Sequence, residues 1–188
     1  MPVLLGDGEP LGEGALRFRL PAGVDPPALL ATLRAQPGVI DAVVTDAWVA
    51  VTFADEPPPL RELELVALPP PRTHEVSVRY DGPDLDDVAR HAGMTPDEVV
   101  RIHAGAVYRA LFLGFAPGFA YLGGLDRRIA CPRRSSPRQR VPAGSVAIGD
   151  AYTAVYPSVS PGGWNLIGTA AEPPRGLAAG DLVRFVPA

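Results

Sequence analysis

Lysine is absent from this 188-residue chain, and all seventeen of its basic residues are arginine. A P-loop lysine, a Schiff-base or pyridoxal lysine and a biotinyl lysine are therefore excluded from its chemistry. Cysteine is scarce as well, and the single Cys131 cannot close an internal disulfide, which fits a reduced compartment. His74, His91 and His103 show no HxH or HxxxH spacing and Cys131 has no CxxC companion, so no metal site is expected. No G-x-S-x-G surrounds Ser145, because Ala143 stands at the first glycine position, and a serine-hydrolase elbow is not supported. Long apolar runs are also missing. The uncharged stretches 110–125 and 151–171 are broken by Pro117, Pro157, Pro161 and several glycines, which suit turns in a sheet better than a membrane span. The opening MPVLLGDGEP has no basic segment and only a short apolar run, so no secretory signal is read and a cytoplasmic location is expected.

What is present is enough for a packed core, since Leu, Val, Ile and Phe make up 51 of the 188 residues, more than the share of about 20% below which cores fail. The net charge of −4 disfavours a general nucleic-acid binder. Charge is unevenly spread: residues 1–73 hold five Arg against ten acids, residues 74–188 twelve against eleven. Pro57-Pro58-Pro59 and Pro69-Pro70-Pro71 read as semi-rigid connectors, and a domain boundary is placed near residue 73.

Before that boundary, Leu16, Phe18 and Leu20 alternate with Arg17 and Arg19, as in a half-buried strand. Asp25 and Pro26 form a cap and first turn for a helix carrying Leu29, Leu30 and Leu33, which stops at Pro37-Gly38. Residues 39–45 and 47–53 read as two more strands, giving a small β-α-β-β, α+β domain over residues 1–73. After the boundary, His74 to Tyr80 alternates as a strand. Two short helices follow, one from an Asp84 cap to Gly93 and one opened by the capping box Thr95-Pro96-Asp97-Glu98. From Tyr108 onward, short apolar runs separated by Gly and Pro predict a barrel or sandwich over the rest of residues 74–188.

Three Gly/Pro/aromatic blocks stand out at residues 113–126 (LGFAPGFAYLGGLD), 141–149 (VPAGSVAIG) and 160–168 (SPGGWNLIG). They read either as tight barrel turns with aromatic plugs or as the lining of a ligand site. Between the first two lie Arg127, Arg128, Arg133, Arg134, Arg138 and Arg140, with no acid among them. Their planar forks suit carboxylate or phosphate oxygens; a solvated loop or a surface for an acidic partner fits the same composition. Asp126 is the best-placed ionisable group for acid–base work, or simply pairs with an arginine. His91 and His103 are expected to be partly exposed or at the edge of the core. A helix-turn-helix reading of residues 85–103 is opposed by Asp84, Asp86, Asp87, Asp97 and Glu98, which outnumber Arg90 and Arg101.

These blocks, with Pro132 to Arg134, the SPRxRVPAGSVAIG of residues 136–149 and the VYP of residues 155–157, closely resemble the KipI-like family. That family is also called allophanate hydrolase subunit 1 and includes the B subunit of the bacterial 5-oxoprolinase. The resemblance runs almost continuously over residues 74–188. It implies a mainly-β, cyclophilin-like barrel with two short helices behind a small α+β domain. It also implies two partners, a KipA-like C subunit and a lactam-utilisation A subunit, and ATP-dependent opening of the lactam 5-oxoproline to glutamate.

On that resemblance, Arg133, Arg134, Arg138 and Arg140 are candidates for anion binding, Gly162 and Gly163 with Asn165 for orientation, and Phe115, Tyr121 and Trp164 for apolar walls. ATP is expected in the complex; nothing assigns it to this chain. Two departures from the family pattern are Thr169, where an arginine is usual, and Tyr152-Thr153-Ala154, where Gln-Thr-Gly is usual. The alternative implied by the same family is a regulatory protein that docks on and inhibits a sensor histidine kinase.

Overall fold

The computed structural model describes residues 2–57, 60 and 62–188. Two of the three prolines of the expected 57–59 connector lie outside the described residues. The chain divides into two compact units, Met1–Pro70 and Pro71–Ala188.

The first unit contains β1 (Glu9–Pro10), β2 (Ala15–Arg19), α1 (Pro26–Arg34), β3 (Val39–Val44) and β4 (Trp48–Phe53). Its strands form one antiparallel sheet in the order β1-β2-β4-β3. Leu29 and Leu33, one helical turn apart, pack with Phe18, Ala42, Val44, Val49 and Val51, so the helix covers one face of the sheet. Asp25 occupies the N-cap with extended backbone, but its side chain makes no capping hydrogen bond.

The second unit is a seven-stranded closed barrel. It is built from β5 (Thr73–Arg79), β6 (Val107–Leu113), β7 (Ala120–Gly123), β9 (Ser145–Gly149), β10 (Tyr152–Val155), β12 (Asn165–Ala170) and β13 (Leu182–Pro187). Around the barrel the order is β10-β7-β6-β13-β5-β12-β9, closed by pairing of β9 with β10. Every pair is antiparallel except β13 with β5, where the last strand returns beside the first. A separate ribbon of β8 (Arg138–Val141) and β11 (Ser160–Gly162) lies apart from the barrel ladder. Between β5 and β6 come α2 (Leu85–Ala92), ended by Gly93 at φ +66°, and α3 (Pro96–Ala104). Thr95 and Glu98 form the expected capping box of α3.

Strand alternation sorts the barrel residues into two clusters. Val146, Ile148, Val155 and Ile167 join Val76, Tyr108 and Phe185 in the central core. The intervening Ala147, Ala154 and Leu166 pack instead with Phe119, Tyr156 and Trp164 in a second cluster on the opposite faces of the same strands.

His103 corrects its expected place at the core edge, because it is completely buried. Thr153 Oγ1 donates to the Ala147 carbonyl (3.0 Å) and so accepts from His103 Nε2 (2.8 Å), leaving Nδ1 to accept from the Tyr80 hydroxyl (2.8 Å). Phe185 stacks on the ring at 4.6 Å. Burial pushes the imidazole down to about 3, so it is the neutral form that completes this chain of hydrogen bonds.

Candidate functional site

On the second cluster lies an open cavity of about 170 Å³, lined by Phe115, Phe119, Tyr121, Tyr156, Trp164, Pro137, Arg133, Arg134, Gly162 and Gly163. One side is aromatic. Phe119 sits at the centre, edge-on to Tyr121 (5.2 Å), Tyr156 (5.3 Å) and Trp164 (5.5 Å). Phe115 forms the rim: it is 59% exposed and its backbone is left-handed, at φ +74°. That conformation is costly for a bulky side chain, and such strain concentrates at sites where a group must be held in one place. Gly162 is required for another reason, since a Cβ there would fall 2.3 Å from the Tyr156 hydroxyl oxygen. Burial lifts that hydroxyl above the usual tyrosine range, opposed by the Trp164 backbone N–H that faces it.

The other side is cationic, and two of its guanidiniums share one carboxylate. Asp84 Oδ1 accepts from Arg134 Nη1 (2.8 Å) and Arg138 Nη2 (2.7 Å), while Oδ2 accepts from the Leu166 backbone N–H (2.7 Å). The Asp84 side chain is only 3% exposed. This corrects the reading of Asp84 as a helix cap: it stands at the N-cap of α2 but makes no capping bond there. The loop carrying it runs so close to β12 that a Cβ on Gly82 would fall 2.3 Å from the Ile167 carbonyl carbon. Arg133 is held differently, by an exposed pair of its Nε with Asp150 Oδ2 (2.8 Å), and its guanidinium lies 5.7 Å from the Trp164 ring centre.

Of the sequence candidates, Arg133, Arg134, Gly162, Gly163, Phe115, Tyr121 and Trp164 therefore converge on one cavity. Arg138 stands behind Arg134 as the second partner of Asp84. Arg140 is exposed on β8 and does not line the cavity. Asn165 is buried, its amide donating to the Pro132 (2.9 Å) and Ile148 (3.3 Å) carbonyls, so it ties the Arg133 segment to β9 and does not face a ligand. Asp126 is also outside the cavity. Its carboxylate takes the Arg128 guanidinium and the Arg128 backbone N–H, capping the short turn Arg127–Ile129. Those contacts hold it down to about 2 and engage both of its oxygens with Arg128.

Phe119, Tyr156 and Pro137 were missed as lining residues, although the VYP motif and the first block contained two of them. Thr169 lies elsewhere: its hydroxyl donates to Asp81 (2.9 Å), beside a depression lined by Ser77, Arg79, Ala170, Ala171 and Ala188. Among the described residues, no group of three or more His, Cys, Asp or Glu side chains could hold a metal, and no helix is long and apolar enough to cross a membrane.

Residues 9–173 match the family described as carboxyltransferase domain, subdomain C and D. The chain is 48% identical over 126 residues to the B subunit of 5-oxoprolinase from Bacillus subtilis, a match covering 61% of this chain and 52% of that protein. It is 48% identical over 130 residues to the protein of the same name from Escherichia coli O157:H7, covering 63% and 60%. The chain thus spans about half to three-fifths of the curated relatives it matches. Among solved structures, TTHA0988 superimposes with a TM-score of 0.74 at 33% identity, over 93% of this chain and 40% of that one. Kluyveromyces lactis urea carboxylase superimposes with a TM-score of 0.68 at 15% identity, over 93% of this chain and 21% of that one, and shares the fold.

Proposed function

The chain belongs to the carboxyltransferase-domain family of subdomains C and D, and from this premise we propose that it is the B subunit of a cytoplasmic 5-oxoprolinase-type assembly. In this reading its cyclophilin-like barrel supplies one wall of the substrate site, with a KipA-like C subunit and a lactam-utilisation A subunit as partners. The observation that carries the reading is the convergence of the first and third sequence blocks, with Arg133, Arg134 and Tyr156, on one aromatic and guanidinium-lined cavity, in a chain 48% identical over 126 residues to the B subunit of a 5-oxoprolinase.

The cavity suits a small flat acid. The Phe119, Tyr121 and Trp164 rings offer apolar faces to a five-membered lactam, and Arg133 offers a fork to its carboxylate beside the Asp84-bound Arg134. At about 170 Å³ it is smaller than the roughly 300 Å³ at which sites for larger ligands begin. The residues present do not fit ATP. Arg134 and Arg138 are already matched to Asp84 and Arg133 to Asp150, which leaves a net charge of one for a triphosphate. Nucleotide binding is accordingly assigned to another component, and this chain binds and orients the lactam acid. The test is reconstitution: the purified chain alone is expected to show no 5-oxoproline-dependent ATP hydrolysis, and addition of both partner proteins to restore it. Robust turnover by the lone chain, or none with both partners, would sink the reading.

A further inference from the structure

The three cations of this wall, Arg133 and Arg134 lining the cavity and Arg138 behind them, are not equally available to a ligand. Arg134 and Arg138 are tied to Asp84, whose side chain is 3% exposed. Turning either guanidinium toward a ligand leaves a buried carboxylate short of a partner, a costly rearrangement. Arg133 is tied to Asp150 by a contact whose two side chains are 50% and 51% exposed. An exposed pair of this kind shifts an equilibrium by no more than about fivefold and is readily exchanged. Arg133 is also a lining residue of the cavity, whereas Asp150 is not.

Asp150 is held in place by its backbone. It sits in the turn between β9 and β10 in the left-handed conformation, at φ +55°, and its N–H donates to the Cys131 carbonyl (2.8 Å). This bridge places residue 150 opposite residue 131, two positions before Arg133. Its carboxylate therefore presents to Arg133 the same chemical group that a ligand acid would present from the cavity side.

We infer that Arg133 is the ligand-responsive cation of this cavity and Asp150 its internal counter-ion, an acid group of the protein that competes with the carboxylate of an entering ligand for the Arg133 guanidinium. The inference rests on reading the cavity as a site for a small carboxylic acid. In this arrangement Asp150 lowers the affinity for every such acid and keeps the empty site neutral at Arg133. Releasing Arg133 from it lets the guanidinium close over the ligand on the Trp164 side. Asp150→Asn removes the competing charge and keeps the turn, because Asn tolerates the left-handed conformation as Asp does.

The experiment follows the two tryptophan indole N–H signals of the full chain by NMR during titration with acetate and, separately, with 5-oxoproline, at constant ionic strength. Trp164 reports the cavity, and Trp48, seated against Arg17 and Arg19, reports anion binding in the first unit. Asp150→Asn is expected to tighten both acids at Trp164 by about two- to fivefold, the weight of an exposed ion pair. Arg133→Gln is expected to weaken both, and in that background Asp150→Asn is expected to change nothing. The proposal is overturned if Asp150→Asn leaves acetate affinity unchanged, if its effect persists without Arg133, or if only Trp48 responds. If the acetate effect appears but 5-oxoproline binds no better than acetate, the proposed substrate falls and the Arg133–Asp150 exchange stands.

Discussion

Replacing Asp84 with Ala tests whether one carboxylate organises the cationic wall. The side chain is 3% exposed and accepts hydrogen bonds from Arg134, Arg138 and the Leu166 N–H. Without it the Leu166 N–H is buried with no acceptor, which costs about 1–3 kcal/mol. Breaking a fully buried ion pair costs about 3–5 kcal/mol, but the arginine side chains are 34% and 25% exposed, and water takes up part of that loss. A net destabilisation of about 3 kcal/mol follows, equivalent to a Tm lowered by roughly 10 °C for a unit of this size. Urea and thermal unfolding followed by near-ultraviolet circular dichroism measure both. The companion variant Asp84→Leu/Arg134→Met/Arg138→Leu removes the stranded cations and is expected to be more stable than Asp84→Ala, despite its three changes. An Asp84→Ala chain within about 1 kcal/mol of the parent, or a triple variant less stable than the single one, would refute the reasoning.

Burial pushes His103 down to about 3, whereas in the unfolded chain it titrates near ~6.5. The unfolded state therefore takes up a proton that the native state refuses. This stability is present above the unfolded value and is lost as pH falls below it, by at most about 1.4 kcal/mol per pH unit. Urea midpoints of the parent are expected to fall from pH 6.5 toward ~4.5, with a flatter profile in His103→Gln; equal slopes would contradict the assignment. At lower pH a second loss is expected from Asp181, whose burial raises its pKa but is outweighed by hydrogen bonds from Ala178, Arg72 and His74, leaving it at about 2. Its contribution is present above ~3.9 and disappears as pH falls toward the folded value, so Asp181→Asn removes that second step. Gly162→Ala places a methyl group 2.3 Å from the Tyr156 hydroxyl oxygen and is expected to cost about 1–3 kcal/mol and to abolish acid binding at Trp164. Adding Tyr156→Phe removes the nearest clashing atom and is expected to recover part of the stability; no recovery would place the strain elsewhere.

Features that depend on near neighbours are readable from the residues alone. The alternation from His74 to Tyr80 became β5, the capping box became the start of α3, and the Leu29/Leu33 spacing became the buried face of α1. The ribbon of β8 and β11 was not readable, because Arg-Gln-Arg-Val and Ser-Pro-Gly carry no apolar alternation and only one strand-forming residue, Val141, between them, and each owes its extended shape to the other. Asp84 shows why the candidate site was legible only in part. An aspartate just before a helix has the local signature of a cap whether or not it caps. What decides its role are Arg134 and Arg138, 50 and 54 positions along the chain, and the Leu166 N–H, 82 positions away.

The same holds for His103, four positions after Val99 on the buried face of α3. Its pattern permits either an edge or a core position, and the core is available only because Tyr80 and Thr153, from separate segments, satisfy both ring nitrogens. Composition could say that, with no lysine, an anion site must be built from arginine forks and backbone N–H groups. Barrel closure then decides which arginine is free to act, by bringing one carboxylate to two guanidiniums and leaving Arg133 with a partner it can exchange.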